Sequence, residues 1–336
     1  MLRIFHNTKY EFVKHWRMAA ILTAAFIAAG LITFGITGGV KYSIEFTGGT
    51  LMQVQFKQAP DVAVLRSTLD EAGITGSEIQ QYGAATEYTI RARDEKQVEE
   101  QAAGAEGISK SIAAALDKKF GEGNVQIVRT EAVGPKVGSE LRSGALTAMI
   151  IASLFTLIYL AIRFDWRFGA AAVLSTAHDI FVTLAFIKLF NIEVSLTVVA
   201  AILTLLGYSA NDTIIIFDRV REDLKKRLKG ESLAQVLDRA INETLPRSVM
   251  THATTLASTL ALLFIASDVI RPFALVMAFG VFVATFSSIY VAGPLLIWIE
   301  SKYPRTTPDA TSRAVNSGND SSGDSRPRKA ERLATR

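Results

Sequence analysis

Four places in this 336-residue chain set polar or ionisable side chains inside long apolar stretches. They are His178-Asp179, Lys188, Asn211-Asp212, and a run that opens with Arg247 and continues through Thr251, His252, Thr254 and Thr255. Ionisable groups at membrane depth are costly, which makes them candidate functional residues. The chemistry open to a carboxylate there is proton exchange. Loss of water favours the neutral acid and a nearby guanidinium favours the ion, so a carboxylate held between the two exchanges a proton when its surroundings move. Asp212 is such a group, and Arg247, at similar depth on the next apolar segment, is the cation expected to meet it. Asp179 lies deeper, about 16 Å inside the boundary set by Arg167 at 1.5 Å per helical residue. His178 beside it can relay protons. Whether Asp179 or Asp212 is the main carrier stays open, and for each a permanent packing role is the alternative. Lys188, near a span end, reads as a snorkelling cation. Thr251, Thr254, Thr255 and Ser258 read either as functional hydroxyls or as the small polar residues that hold membrane helices together.

Other chemistries lack their residues. Cys is absent, which excludes disulfides, thiolate metal sites and cysteine nucleophiles. With only four His and no His-Glu-x-x-His, an intramembrane metallohydrolase is disfavoured; no metal, other cofactor or enzymatic activity is expected. A net charge of +4 suits basic membrane-protein loops, and no nucleic-acid partner is expected.

The elements that carry these residues follow from hydropathy. Six segments reach or approach the roughly 20 residues needed to cross a bilayer as a helix: 18–40, 144–162, 169–190, 194–217, 248–267 and 273–299. The first is uncharged and longer than the apolar core of a signal peptide, so it is expected to stay as an anchor. Basic residues gather in 1–17, at Arg163 and Arg167, in the loop 218–247, and at Lys302 and Arg305. The alternate loops hold little positive charge, which places both termini in the cytoplasm. The tail, 300–336, is rich in Ser, Thr, Pro, Asp and Arg and reads as disordered.

The external region 41–143 is long enough for a small domain. Strands are expected at 50–56, 77–82, 86–93 and 124–133, with helices at 60–72 and 107–120. Val62, Leu65 and Leu69 form the inner stripe of the first helix, and Ile108, Ile112, Leu116 and Phe120 that of the second. The order βαββαβ is the ferredoxin-like α+β pattern. The fold class is thus an α-helical polytopic membrane protein of six helices, with that domain between helices 1 and 2. The Gly38-Gly39 pair reads as a flexible link between span 1 and the domain.

Three motifs carry a family resemblance. Phe46-Thr-Gly-Gly-Thr50 resembles the glycine motif that opens the periplasmic region of SecD and SecF. Gly207-Tyr-Ser-Ala-Asn-Asp-Thr-Ile-Ile-Ile-Phe-Asp-Arg-Val-Arg-Glu222 looks like the most characteristic motif of the SecF family. Asn242-Glu-Thr-Leu-Pro-Arg-Ser-Val-Met-Thr-His-Ala-Thr-Thr-Leu256 is similar to its following helix, with Pro246 a local departure from a small polar residue. The likeness covers about residues 1–300, within the resistance-nodulation-division type of membrane protein. It implies a bacterial cytoplasmic-membrane subunit that works with SecD, often with YajC, beside the SecYEG channel and SecA. It implies use of the proton-motive force to draw unfolded preproteins across the bilayer. It also implies that Asp212 and Arg247 are the intramembrane charged pair, and that a six-span partner supplies the other half of the bundle. A half-size exporter of lipids or small hydrophobic compounds is the rival reading. A passive scaffold leaves Asp179 and Asp212 unexplained.

Overall fold

Among the described residues, six helical spans are long and apolar enough to cross a membrane in the computed structural model, which describes residues 8–92, 103–226, 230–266 and 269–304. A short 3-10 turn (Val13–His15) leads into α1 (Trp16–Thr37). Then come the one-turn helix α2 (Ile44–Thr47), β1 (Gly49–Phe56), α3 (Val62–Glu71), β2 (Glu78–Gln81), β3 (Glu87–Ala92), α4 (Ala103–Phe120) and β4 (Val125–Val133). The chain closes with α5 (Pro135–Arg163), α6 (Trp166–Leu189), α7 (Leu196–Lys225), α8 (Leu233–Ile265), α9 (Arg271–Tyr290) and α10 (Ala292–Lys302).

The four strands form one antiparallel sheet in the order β2-β3-β1-β4, compatible with the ferredoxin-like pattern. Strand alternation puts Met52, Val54 and Phe56 of β1 on the same face as Tyr88, Ile90 and Ala92 of β3. Leu65 and Leu69 of α3 and Ile112 and Leu116 of α4 cover that face. Asp61 starts α3 by accepting a hydrogen bond from the Ala63 N–H at 2.8 Å. Val62 departs from the expected stripe: it stands at the exposed start of α3, 38% accessible, before the helix has turned onto the sheet.

The largest departures from the expected boundaries are three, and α4 also begins four residues before the expected 107. The basic segment 218–247 is largely helix, because α7 runs to Lys225 and α8 begins at Leu233. Hydropathy senses the solvent around a helix and not the helix itself. Here spaced charge pairs such as Arg219–Asp223 and Glu222–Lys226 support α7 beyond its apolar part. The last span breaks at Val291 into α9 and α10. Pro294 has no N–H to offer the Tyr290 carbonyl four residues back, and its ring crowds that group. α5 starts nine residues before the expected span and carries the chain directly out of β4. Of the tail, 305–336 lies outside the described residues.

The sheet domain is fastened to the bundle at several points. α2 packs on α5 at Gly138, where an added Cβ would lie 2.9 Å from the Gly48 nitrogen. The Val194 N–H donates to the Lys41 carbonyl at 2.8 Å, and the Ser43 N–H to the Val194 carbonyl at 2.9 Å. Glu45 accepts a bond from the Leu196 N–H, in the first turn of α7, at 2.6 Å. Arg91 of β3 places Nη2 at 2.5 and 2.6 Å from the two carboxylate oxygens of Glu193. The Gly38-Gly39 link is pinned: both glycines have positive φ, and the buried Lys188 ammonium donates to the Gly39 carbonyl. Lys188 is therefore a tether between α6 and the end of α1, not a snorkelling group.

Candidate functional site

Asp179 on α6 and Asp212 on α7 are both buried, at 6% and 5% accessibility. Each meets hydroxyl groups from neighbouring helices. Ser209 of α7 and Ser287 of α9 donate to Asp179 Oδ2 at 2.5 and 2.6 Å. Ser248 of α8 donates to Asp212 Oδ1 at 2.6 Å, and Ser288 of α9 to Asp212 Oδ2 at 2.7 Å. The adjacent Ser287 and Ser288 thus let one helix, α9, contact both carboxylates. Small residues let the helices come this close: at Gly280 of α9, a Cβ would overlap the Leu205 side chain of α7 at 2.1 Å.

The two histidines extend these clusters. His178 brings Nδ1 to 2.9 Å from Asp179 Oδ1. His252, buried on α8, has Nδ1 2.6 Å from the Ser248 carbonyl, and Tyr208 meets its ring edge to face with centroids 5.3 Å apart. The Nε2 atoms of both histidines are buried without a hydrogen-bond partner, as are the hydroxyls of Ser175 and Thr213. A void of about 10 Å³ adjoins Asp179 between Thr176, Thr183, Ser209 and Gly280, close to one water-probe sphere.

Arg247 and Asn211 fall elsewhere. Both side chains are exposed, on the outward faces of α8 and α7. The expected Asp212–Arg247 ion pair is not formed. One residue along a helix turns the side chain by about 100°, so Ser248 faces Asp212 and Arg247 points outward. Thr204, Arg247, Thr251, Thr254 and Ser258 are likewise exposed, which leaves a polar stripe on the outside of α7 and α8. The residues that the sequence reading missed are Ser209, Ser248, Ser287 and Ser288. Their only signal was the presence of hydroxyls within apolar spans, with Ser287-Ser288 the one adjacent pair in α9.

A six-span bundle with buried, hydroxyl-lined carboxylates and a small α+β domain defines a multi-pass membrane protein. The family described as "Protein export membrane protein SecD/SecF, C-terminal" matches residues 112–302, and the "SecD/SecF GG Motif" matches 33–60. Protein translocase subunit SecF of Gemmatimonas aurantiaca is 76% identical over 318 residues, covering 95% of each chain. Protein translocase subunit SecDF of Thermus thermophilus is 38% identical over 289 residues, which cover 83% of this chain and 37% of that one. A crystal structure of SecDF from Thermus, a translocon-associated membrane protein, superposes with a TM-score of 0.75 at 34% identity, covering 88% of this chain and 39% of the other. SecDF in its super-membrane-facing form gives 0.62 at 33% identity, with 94% and 41% covered. The chain spans about two fifths of the length of these SecDF proteins. It belongs to the SecD/SecF family, on the SecF side.

Proposed function

We propose that this subunit couples proton movement across the bacterial cytoplasmic membrane to late steps of preprotein export, as one half of a complex with SecD. The observation that carries this is the setting of Asp212. Among the described residues it forms no ion pair, and its partners are hydroxyls from two other helices. A serine hydroxyl donates to a carboxylate and, after rotation, accepts from a carboxylic acid. Such a shell serves both protonation states, whereas a fixed guanidinium would hold the ion. Asp179, with His178 and Ser209, is the second proton-carrying group.

One charge crossing 100 mV is worth about 2.3 kcal/mol, and 1.4 kcal/mol shifts an equilibrium tenfold. Protonation that alters the bonds to Ser248 and Ser288 would bias how α7 sits against α8 and α9. The start of α7 is bonded to Glu45, and the loop before it is bonded through Glu193 to Arg91, so motion of α7 reaches the sheet domain. The exposed stripe with Asn211 and Arg247 is the face that meets SecD, because a guanidinium on a membrane helix is costly against lipid. In this reading the basic ends of α7 and α8 lie in the cytoplasm and the sheet domain outside, near SecYEG, SecA and, where present, YajC.

The test uses inverted vesicles with SecYEG, SecA and SecD, with and without this chain. A preprotein is arrested late and ATP is removed. Completion of transport that needs this chain and is abolished by an uncoupler is the expected result. Stimulation that survives the uncoupler would remove proton coupling from the function.

A further inference from the structure

At the end of the bundle opposite the sheet domain, a groove of about 1760 Å³ runs between the start of α1, the start of α8 and α10, and ends at His178. We propose that it binds one anionic glycerophospholipid from the adjoining leaflet. This rests on the chain's crossing a membrane and is independent of proton coupling.

The groove has the length and polarity of half a bilayer. Its α1 wall runs from Arg17 through Ala20 and Ala24 to Ile27. The ten helical steps from Arg17 to Ile27 rise about 15 Å, half of a hydrocarbon core about 30 Å thick. Along α1 the inner wall is lined by Ala20, Thr23, Ala24 and Ile27, and the small Ala20 and Ala24 leave width there for acyl chains. The outer end carries the polar groups, with Trp16 and Trp298 beside them as amphipathic rings suited to the headgroup boundary.

The charges at the outer end select the headgroup. Glu11 pairs with Lys14 at 3.2 Å, Glu243 pairs with Arg219, and Asp238 accepts the Val13 N–H at 2.9 Å. Arg239 is taken up by Glu231 and Asp223. Among the described residues, Lys9 and Arg17 line the groove, are exposed, and form no ion pair. Glu11 and Glu243 are thus paired with cations, Asp238 is held by backbone N–H groups of the N-terminal wall, and Lys9 and Arg17 remain to face a phosphate. The N-terminal wall is fixed in place by Asn242, whose amide exchanges hydrogen bonds of 3.0 and 2.9 Å with the backbone of Tyr10. The groove is thus a built feature of the bundle and not a gap beside a loose terminus.

Two of the three tryptophans of the chain, Trp16 and Trp298, line the groove, and the third, Trp166, lies outside it. Full-length chain carrying Trp166→Phe is placed in phosphatidylcholine nanodiscs doped with brominated phosphatidylglycerol or brominated phosphatidylcholine. Tryptophan fluorescence is read as the doping rises. Each surface cation is worth about fivefold in attraction to anionic lipid. Half-quenching by the brominated phosphatidylglycerol is therefore expected at a mole fraction at least about fivefold lower. The preference should vanish in Lys9→Gln/Arg17→Gln and in the groove-filling Ala24→Leu. A chain retaining only Trp166 should show no preference. Equal quenching by the two lipids, or a preference that survives both variants, would overturn the proposal. Loss of quenching when SecD is co-expressed would overturn it too, since a protein helix would then occupy the groove.

Discussion

Replacing Arg91 by Met should loosen the sheet domain from the bundle. Arg91 is 12% exposed and Glu193 34% exposed, and one guanidinium nitrogen lies 2.5 and 2.6 Å from the two carboxylate oxygens. A second nitrogen is 3.5 Å from Glu78, which is half exposed and adds little. A hydrogen bond to a charged group contributes about 1.5–3 kcal/mol. With Glu193 a third exposed, solvent screening brings the expected loss to about 1–2 kcal/mol, a factor of about 5–30 in a two-state equilibrium. The bonds of Glu45 and Val194 and the packing at Gly138 remain, so the domain should shift its population and not detach. The chain has no native Cys, so spin labels can be placed at Ser67→Cys on α3 and Ala200→Cys on α7, both exposed positions. Pulsed electron–electron double resonance should show the fraction outside the docked distance rising about 5–30-fold in Arg91→Met. The reversal Arg91→Glu/Glu193→Arg should restore much of the parent distribution. If Arg91→Met and Glu193→Gln both leave the distribution unchanged in mean and width, the ion pair does not position the domain.

Gly138→Leu should force α2 away from α5, since even a Cβ would come within 2.9 Å of backbone; overpacking of this kind costs about 1–3 kcal/mol and should show as a lower unfolding midpoint in detergent. Ser287→Ala and Ser288→Ala should each cost about 0.6–2 kcal/mol. In double-mutant cycles Ser288 should couple to Asp212 and Ser287 to Asp179, and the reverse pairing would contradict the geometry. An impermeant maleimide should label Ser67→Cys or Ser109→Cys from outside intact cells but not Ser232→Cys or Ser321→Cys. Labelling at Ser232→Cys would reverse the proposed orientation.

Much of this architecture is legible in the residues. The strands and helices of the sheet domain are marked by two-residue alternation and by Gly and Pro at their ends, and β1 to β4 lie within about one residue of the expected bounds. The spans are marked by apolar length. Helix beyond the bilayer is not, because Leu233 to Arg247 differs from the buried span in its surroundings and not in its backbone. Asp179 and Asp212 stand out because a carboxylate in an apolar run is rare. Their partners do not. A serine in a membrane helix can satisfy itself on its own backbone, as Ser288 can on the Thr285 carbonyl, so residue type does not say which hydroxyl faces a carboxylate. Assigning Arg247 in place of Ser248 to Asp212 is the same difficulty: composition gives depth, and only packing gives the face.

The most direct test is late-stage preprotein transport by Asp212→Asn in SecD-containing vesicles, with ATP removed and an uncoupler added or withheld. Asn keeps the shape, accepts from one of Ser248 and Ser288 and donates to the other after that hydroxyl rotates, but carries no exchangeable acid proton. Assembly with SecD should be unchanged, and the uncoupler-sensitive part of transport should be lost. If Asp212→Asn keeps the full uncoupler-sensitive stimulation while Asp179→Asn abolishes it, Asp212 is a packing residue and the coupling proton rides on Asp179.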